Sequence, residues 1–269
     1  MASLRFSFTN KVQTATLKNG TGGGAPALDQ VSPWLMTNSQ NRDRELVWQQ
    51  SSGASGFVDF DLTGAASDTS VGLLAVLGHR GAPATAAGVT SIVTRYSTNA
   101  NGYPPTAASA WTAFTGGTIT LGSGVRDAGA IIATPINCRY IRFDYTTATT
   151  FTIGRLFAGT VEHDFLIVAS PGRSRRRIIP RLENRMAGGM PHYTVSGDVR
   201  YEFSLPYQDI GATLFAKILA VGSRTTSFVL IERDDAIFEA VLRDGTLTDS
   251  LTFDAPDTYT TALDVETLG

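Results

Sequence analysis

Phe57-Val58-Asp59-Phe60-Asp61-Leu62 alternates between apolar and acidic residues. On an extended chain Val58, Phe60 and Leu62 share one face and Asp59 and Asp61 the other, the pattern of a half-buried strand with its acids outward. ELVWQQ (Glu45–Gln50) comes just before it. VGLLAVLGH (Val71–His79) is apolar on both faces, as a central strand of a sandwich is. TSIVTRY (Thr90–Tyr96) alternates again, and AGAIIATP, CRYIRFDY and FTIGRLFAG (starting at Ala128, Cys138 and Phe151) predict three further short strands. The intervening Ser97–Phe114 carries Asn-Gly and Pro-Pro turn signals and reads as an exposed excursion. Six or so strands at this spacing, without an amphipathic helix, predict an antiparallel β-sandwich of about 110–120 residues.

The texture changes near Thr160. VEHDFLIVAS predicts one more strand. Gly172–His192 then holds six arginines, two prolines and paired glycines with little to bury, which predicts a long exposed loop. YTVSGDVRYEF follows as a strand pair or a bent strand. Pro206–Gly222 predicts the one helix: Ile210, Leu214 and Ile218 repeat every four residues, with Phe215 and Leu219 on the same stripe. Pro206 suits a first turn and Gly222 a C-terminal cap. SFVLIE and AIFEAVLR flank a hairpin turn at ERDD, and Asp244-Gly245 opens another before TLTDSLTF. The fold expected is therefore mainly β: an N-terminal antiparallel sandwich over 1–159, then a β-sandwich or barrel over 160–269 carrying one packed helix.

Composition narrows the function classes. Apolar residues make up 42% and charged residues 17%, and 27 glycines punctuate the chain, as in a folded β-rich protein. A net charge of −2 disfavours a protein that coats nucleic acid with its whole surface. The single cysteine, Cys138, excludes an internal disulfide and a Cys-based zinc site, and its place beside an apolar strand predicts burial. MASLRFSFTNKVQ lacks the apolar run of a signal peptide, and no segment reaches the length of a membrane span, so synthesis and folding in a cytosol are expected. GTGGGAPA (Gly20–Ala27) is the first loop, and its glycine spacing does not match a dinucleotide fingerprint.

No chemistry of the usual kinds stands out. His79, His163 and His192 lack helical metal spacing, and there is no GxSxG elbow. Asp59/Asp61, Asp234/Asp235 and Asp254/Asp257 are paired carboxylates, the first at a separation usable in glycoside hydrolysis but without apolar surroundings to raise a pKa. Asp68 in TGAASDTS offers one acid for calcium, too few for a site. No catalytic residue, metal ligand or cofactor is assigned. Charge is segregated, however. Arg173, Arg175, Arg176, Arg177, Arg181 and Arg185 form a basic run, while the last forty residues hold ten acids against Arg233 and Arg243. A ring in which each copy's basic loop lies on its neighbour's acidic flank would use this, so these arginines are the expected subunit interface. Aromatics for base stacking are missing from that run, and sequence-specific nucleic-acid binding is not expected. Tyr103 and Trp111, in the long excursion, are the candidate surface-ligand aromatics. Arg155, at the closing strand, is either a ligand-gripping residue or an architectural one.

WQQSSGASGFVDFDL, VGLLAVLGHRG, VTSIVTRYS, CRYIRFDY and IGRLFAG, in that order, resemble the galactose-binding-like (discoidin-type) jelly roll found in tail proteins of tailed bacteriophages. The resemblance covers roughly Gln40–Gly159. It rests on a Leu-Gly-His turn after the central apolar strand and an Arg-Leu-Phe-Ala-Gly strand that closes the domain. The second half resembles the β-sandwich-plus-helix domain of tail tube, distal tail and baseplate proteins. The resemblance implies a non-enzymatic structural protein of the virion, at the distal tail or baseplate. It would form a ring of like copies (hexamer or trimer) around the tail channel, with tail tube and baseplate hub proteins as neighbours. The alternative is a tail module that binds a host-surface carbohydrate.

Overall fold

In the computed structural model the described residues are 4–22, 36–40, 48–50, 56–65, 67–78, 91–101, 111–121, 127–145, 151–165, 174–179, 181–185, 191–195, 200–233, 236–242 and 259–268. They are mostly strand, with two α-helices. The chain divides into two compact units. The sandwich unit comprises Ser7–Glu162 with Ile231–Ile237, and the second unit comprises Met1–Phe6, His163–Leu230 and Phe238–Gly269.

In the sandwich unit a five-stranded sheet runs in the order β2 (Thr16–Gly22), β4 (Gly56–Asp61), β9 (Tyr140–Tyr145), β6 (Ser91–Ser97), β7 (Thr112–Thr120). A three-stranded sheet runs β11 (Arg155–Gly159), β5 (Thr69–Leu77), β8 (Ala128–Cys138), and β10 (Phe151–Ile153) pairs with β3 (Trp48–Gln50). The pairings within these sheets are antiparallel. Val58, Phe60, Ile92, Ile119, Ile141, Phe143 and Tyr145 from the first sheet and Leu74, Val76, Ala130, Leu156 and Ala158 from the second enter one core. Trp48 meets Tyr145 edge-on within it, with ring centroids 5.5 Å apart. β5 is buried on both faces from Val71 to Leu77, as its unbroken apolar run requires. Pro135 is accommodated because β8 lies at the sheet's end and bulges there: its pairing with β5 jumps between Val71 and Leu73.

The short helix α1 (Lys11–Thr14) is held by Asn10, whose Oδ1 accepts from the backbone N–H of Val12 at 3.1 Å and of Ala158 at 3.2 Å. Asn10 Nδ2 donates to the Leu156 carbonyl at 2.9 Å, so one buried amide ties the start of this unit to β11. Beside α1, Lys11 Nζ donates to Thr69 Oγ1 and to the Ser70 carbonyl. Burial lowers the pKa of that lysine, against the opposing influence of Cys138 and Glu162. Cys138 is fully buried and pushed up to about 12 by burial and by Asp68, against the pull of Lys11. The native protein is therefore expected to give no reaction with a thiol-disulfide reagent at neutral pH and one equivalent after denaturation. Prompt titration of the native thiol would contradict this placement.

A seven-stranded sheet, most of whose residues belong to the second unit, has the order β12 (His163–Asp164), β1 (Arg5–Ser7), β17 (Phe228–Arg233), β18 (Ala236–Leu242), β19 (Tyr259–Thr267), β16 (Arg200–Ile210), β13 (Ser174–Ile178). Separately, β14 (Arg181–Arg185) pairs with β15 (Pro191–Val195). Phe6 lies 4.7 Å from Phe165 and 5.9 Å from Phe228 between ring centroids, and Phe165 meets Tyr207 edge-on. This cluster, with the pairing of β1 to β12, is why the first six residues group with the later part of the chain rather than with the sandwich.

Three expectations need correction. The helix α2 spans Ala212–Gly222, not Pro206–Gly222. Pro206 and Tyr207 continue β16 opposite Ala262 and Thr261, past the last described pair with β13, Ser174 with Ser204. A register shift after Tyr207 and a left-handed Asp209 (φ 53°) turn the chain into the helix at Gly211. Ile218 and Val221 are its buried residues, and Phe215 stacks on Tyr259 at 4.4 Å. The arginine run is not a loop where it is described, since it contributes β13, β14 and β15. Finally, Gly20–Gly22 belong to β2, so the first loop starts later than expected; 23–27 lie outside the described residues.

Candidate ligand-binding face

The face of the five-stranded sheet turned away from the core carries a connected set of charged and aromatic side chains. On β4, Phe57, Asp59 and Asp61 alternate with the core residues. Asp59 lies directly opposite Arg142 of β9, and Phe57 opposite Asp144. Across β9 from β6, Arg95 faces Arg142 and Val93 faces Asp144.

These neighbours form pairs. Arg142 Nε and Nη2 each donate to one oxygen of Asp59 at 2.7 Å. The Arg142 guanidinium also lies 3.7 Å from the centre of the Phe57 ring and 4.3 Å from that of Trp111. Arg95 Nε donates to Asp144 at 2.6 Å, which offsets the repulsion of two arginines set side by side. At the end of β4, Arg139 donates to Asp61 from Nε at 3.0 Å and Nη2 at 2.8 Å, and from Nη1 to Asn99 at 2.6 Å. The Gly64 N–H and Lys18, at 3.1 and 3.7 Å, complete the surroundings of Asp61.

Asp59 and Asp61 were expected to point into solvent; both are 1% exposed. Each receives a two-pronged arginine, the geometry that best offsets the cost of burying a carboxylate. Burial pushes the Asp61 pKa up, but the Arg139 hydrogen bond, the Gly64 N–H and the Arg139 charge outweigh it, so the net shift is down. The Asp61 bond in turn raises Arg139. A carboxylate with a lowered folded pKa contributes stability that is present above its unfolded value of about 3.9 and is lost as pH falls through the lower folded value. Unfolding midpoints of the native chain should thus drop in that acid window, and those of Asp61→Asn should drop less. Equal slopes in urea titrations across pH 2–5 would refute the assignment.

Trp111, a candidate surface aromatic, is 8% exposed and covered by Arg142, so it does not stand free as a platform. Tyr103 lies outside the described residues, as do Arg173, His79 and the acid pairs Asp234/Asp235 and Asp254/Asp257. Arg175, Arg176 and Arg177 lie exposed on β13, while Arg181 and Arg185 bound β14. Arg155 is 4% exposed on β11 opposite Leu77, which makes it architectural. No group of three or more metal-ligating side chains occurs among the described residues. Among them, too, no helix is long and apolar enough to cross a membrane.

What remains for a ligand is the half-exposed part of this face. Arg95 is 40% and Asp144 30% exposed, and Arg142 is 20% exposed. Each is pinned by one partner while keeping further donors or acceptors. Sequence reading missed Arg95, Arg139, Arg142 and Asp144, although the spacing of Arg142 and Asp144 on one face of the predicted strand YIRFDY was available as a signal.

No known protein-family model matches the chain, and no curated protein matches it. Solved structures do show likeness. A GH29 fucosidase of Ruminococcus gnavus in complex with fucose matches at TM-score 0.41 and 18% identity, over 58% of this chain and 28% of the fucosidase. A family 32 carbohydrate-binding module from Streptococcus pneumoniae EndoD matches at TM-score 0.40 and 17% identity, over 56% of this chain and 99% of the module. A module produced by Clostridium perfringens, CpGH89CBM32-6, matches at 0.39 and 11%, over 56% and 99%. The chain thus spans under a third of the fucosidase's length but nearly all of either module's. These neighbours are a fucosidase and carbohydrate-binding modules, and no residue role passes from them to this chain.

Proposed function

We propose that this chain is a non-catalytic attachment protein whose sandwich unit binds saccharide on the outer face of its five-stranded sheet. The supporting observation is the rigid row Arg142, Arg95 and Asp144 beside the Phe57 ring: planar charged groups fixed by their own partners, with donors and acceptors left over for hydroxyls. Catalysis by the two aspartates of β4 is disfavoured because each is engaged by an arginine and sealed from water. In this reading the second unit anchors the sandwich in a larger assembly. The assembly proposed is the distal tail or baseplate of a long-tailed phage, as a ring of copies contacting tail tube and hub proteins.

A glycan array probed with the full chain, fucosylated glycans included, tests the binding. Arg95→Ala and Asp144→Ala should each weaken a retained glycan by about tenfold, the worth of one well-made charged hydrogen bond. An array with no glycan retained, or binding indifferent to both changes, would overturn the saccharide reading. A purely structural virion protein would then be favoured by the exposed arginines of β13, and mass spectrometry of purified particles would decide it.

A further inference from the structure

The strand β13 stands at the end of the seven-stranded sheet, paired on one side with β16 and on the other with no strand among the described residues. Ser174, Arg175, Arg176 and Arg177 are all exposed. Successive side chains of a strand point to opposite faces, so the three arginines of β13 are divided between both faces. Arg175 lies flat over the Tyr201 ring at 4.1 Å, with Phe203 and Phe238 at 5.5 and 5.7 Å. Arg176 is 76% exposed and reaches Glu202 only at 4.0 Å. Arg176 and Arg177, on opposite faces of a strand with no second neighbour among the described residues, place positive charge on both sides of its backbone.

From this we propose that β13 is a docking edge for an acidic extended segment of a different polypeptide, added as an eighth strand. Backbone hydrogen bonds would supply the register, and carboxylates alternating above and below would meet Arg176 on one face and Arg175 and Arg177 on the other. Pairing of β13 with the β13 of a second copy is a poor fit: in antiparallel register it sets arginine against arginine, which is destabilising. Nucleic acid is also a poor fit, because the arginines diverge to two faces instead of forming one strip, and the open backbone groups match a peptide. The proposal does not depend on the sandwich's ligand.

The test uses the full chain and a short fluorescent peptide with a run of consecutive glutamates between valines, so that its carboxylates point to both faces of an added strand, read by fluorescence anisotropy. The peptide should bind. Its glutamine analogue, and an analogue of unchanged charge with alternate amides N-methylated, should each bind about tenfold more weakly or worse. Arg176→Glu, at a position too exposed to disturb packing, should weaken the parent peptide by a similar factor, and the triple change of Arg175, Arg176 and Arg177 to Gln should abolish binding. Equal binding of the N-methylated peptide, or tighter binding of a single-stranded oligonucleotide, would reduce the edge to a general anion patch and overturn the proposal. So would absence of peptide binding, or self-association that Arg176→Glu abolishes.

Discussion

Asp59→Ala is expected to destabilise the sandwich unit by about 3–5 kcal/mol, the cost of stripping the counter-charge from a buried ion pair. The loss exceeds that of an ordinary surface pair, worth about 0–1 kcal/mol, because Asp59 is 1% exposed and its arginine cannot swing away. Phe57 and Trp111 both pack on the Arg142 guanidinium, so the orphaned cation stays where no carboxylate remains. Replacing both partners, Asp59→Leu with Arg142→Met, should recover much of the loss, since two apolar side chains carry no desolvation penalty. Intrinsic fluorescence during urea unfolding reads this cleanly, because Trp34, Trp48 and Trp111 all fall in the sandwich unit's part of the chain. A loss below about 1 kcal/mol would mean that the pair behaves as a solvated one.

Gly129→Ala should cost about 2–3 kcal/mol through overpacking, although it adds one methyl group. Gly129 sits on β8 opposite Ala75, and a Cβ there would lie 2.6 Å from the Leu74 carbonyl and 3.1 Å from the Ala75 methyl. The obstructing oxygen is backbone, fixed in a strand buried on both faces, so relief requires parting β5 from β8. The same fluorescence-detected unfolding would register the shift. A variant as stable as the parent would show that the two strands can separate at little cost.

The strands that sequence made legible are those whose inward face is apolar or nearly so. β4, β5 and β9 alternate, or run apolar, without interruption, and β6 does so but for Thr94 between Ile92 and Tyr96. β7 went unread because Gly116 (φ 77°) and the jump in pairing between Val93 and Arg95 break its period of two, leaving Phe114 and Ile119 inward but out of step. β19 was missed for another reason: two of its four inward residues, Thr261 and Thr267, are polar, so the buried face is half disguised. The candidate face was half visible. Asp59 and Asp61 were noticed and misplaced, because the arginines that allow their burial lie 83 and 78 residues further along and meet them only through strand pairing. In one dimension an acid on an alternating strand reads as solvated; only its cross-strand neighbour says otherwise.

The amide of Asn10 has a consequence for the order of events during synthesis. Its partners, Leu156 and Ala158, are translated 146 and 148 residues later. β11, which supplies them, also flanks β5 along the whole of Leu73–Leu77. A nascent chain released from the ribosome before Gly159 has a sandwich lacking this strand, with β5 presenting an apolar edge and α1 without its anchor. Closure then waits on contacts of large sequence separation, the slow class of folding step, and the incomplete chain is the one exposed to edge-to-edge association.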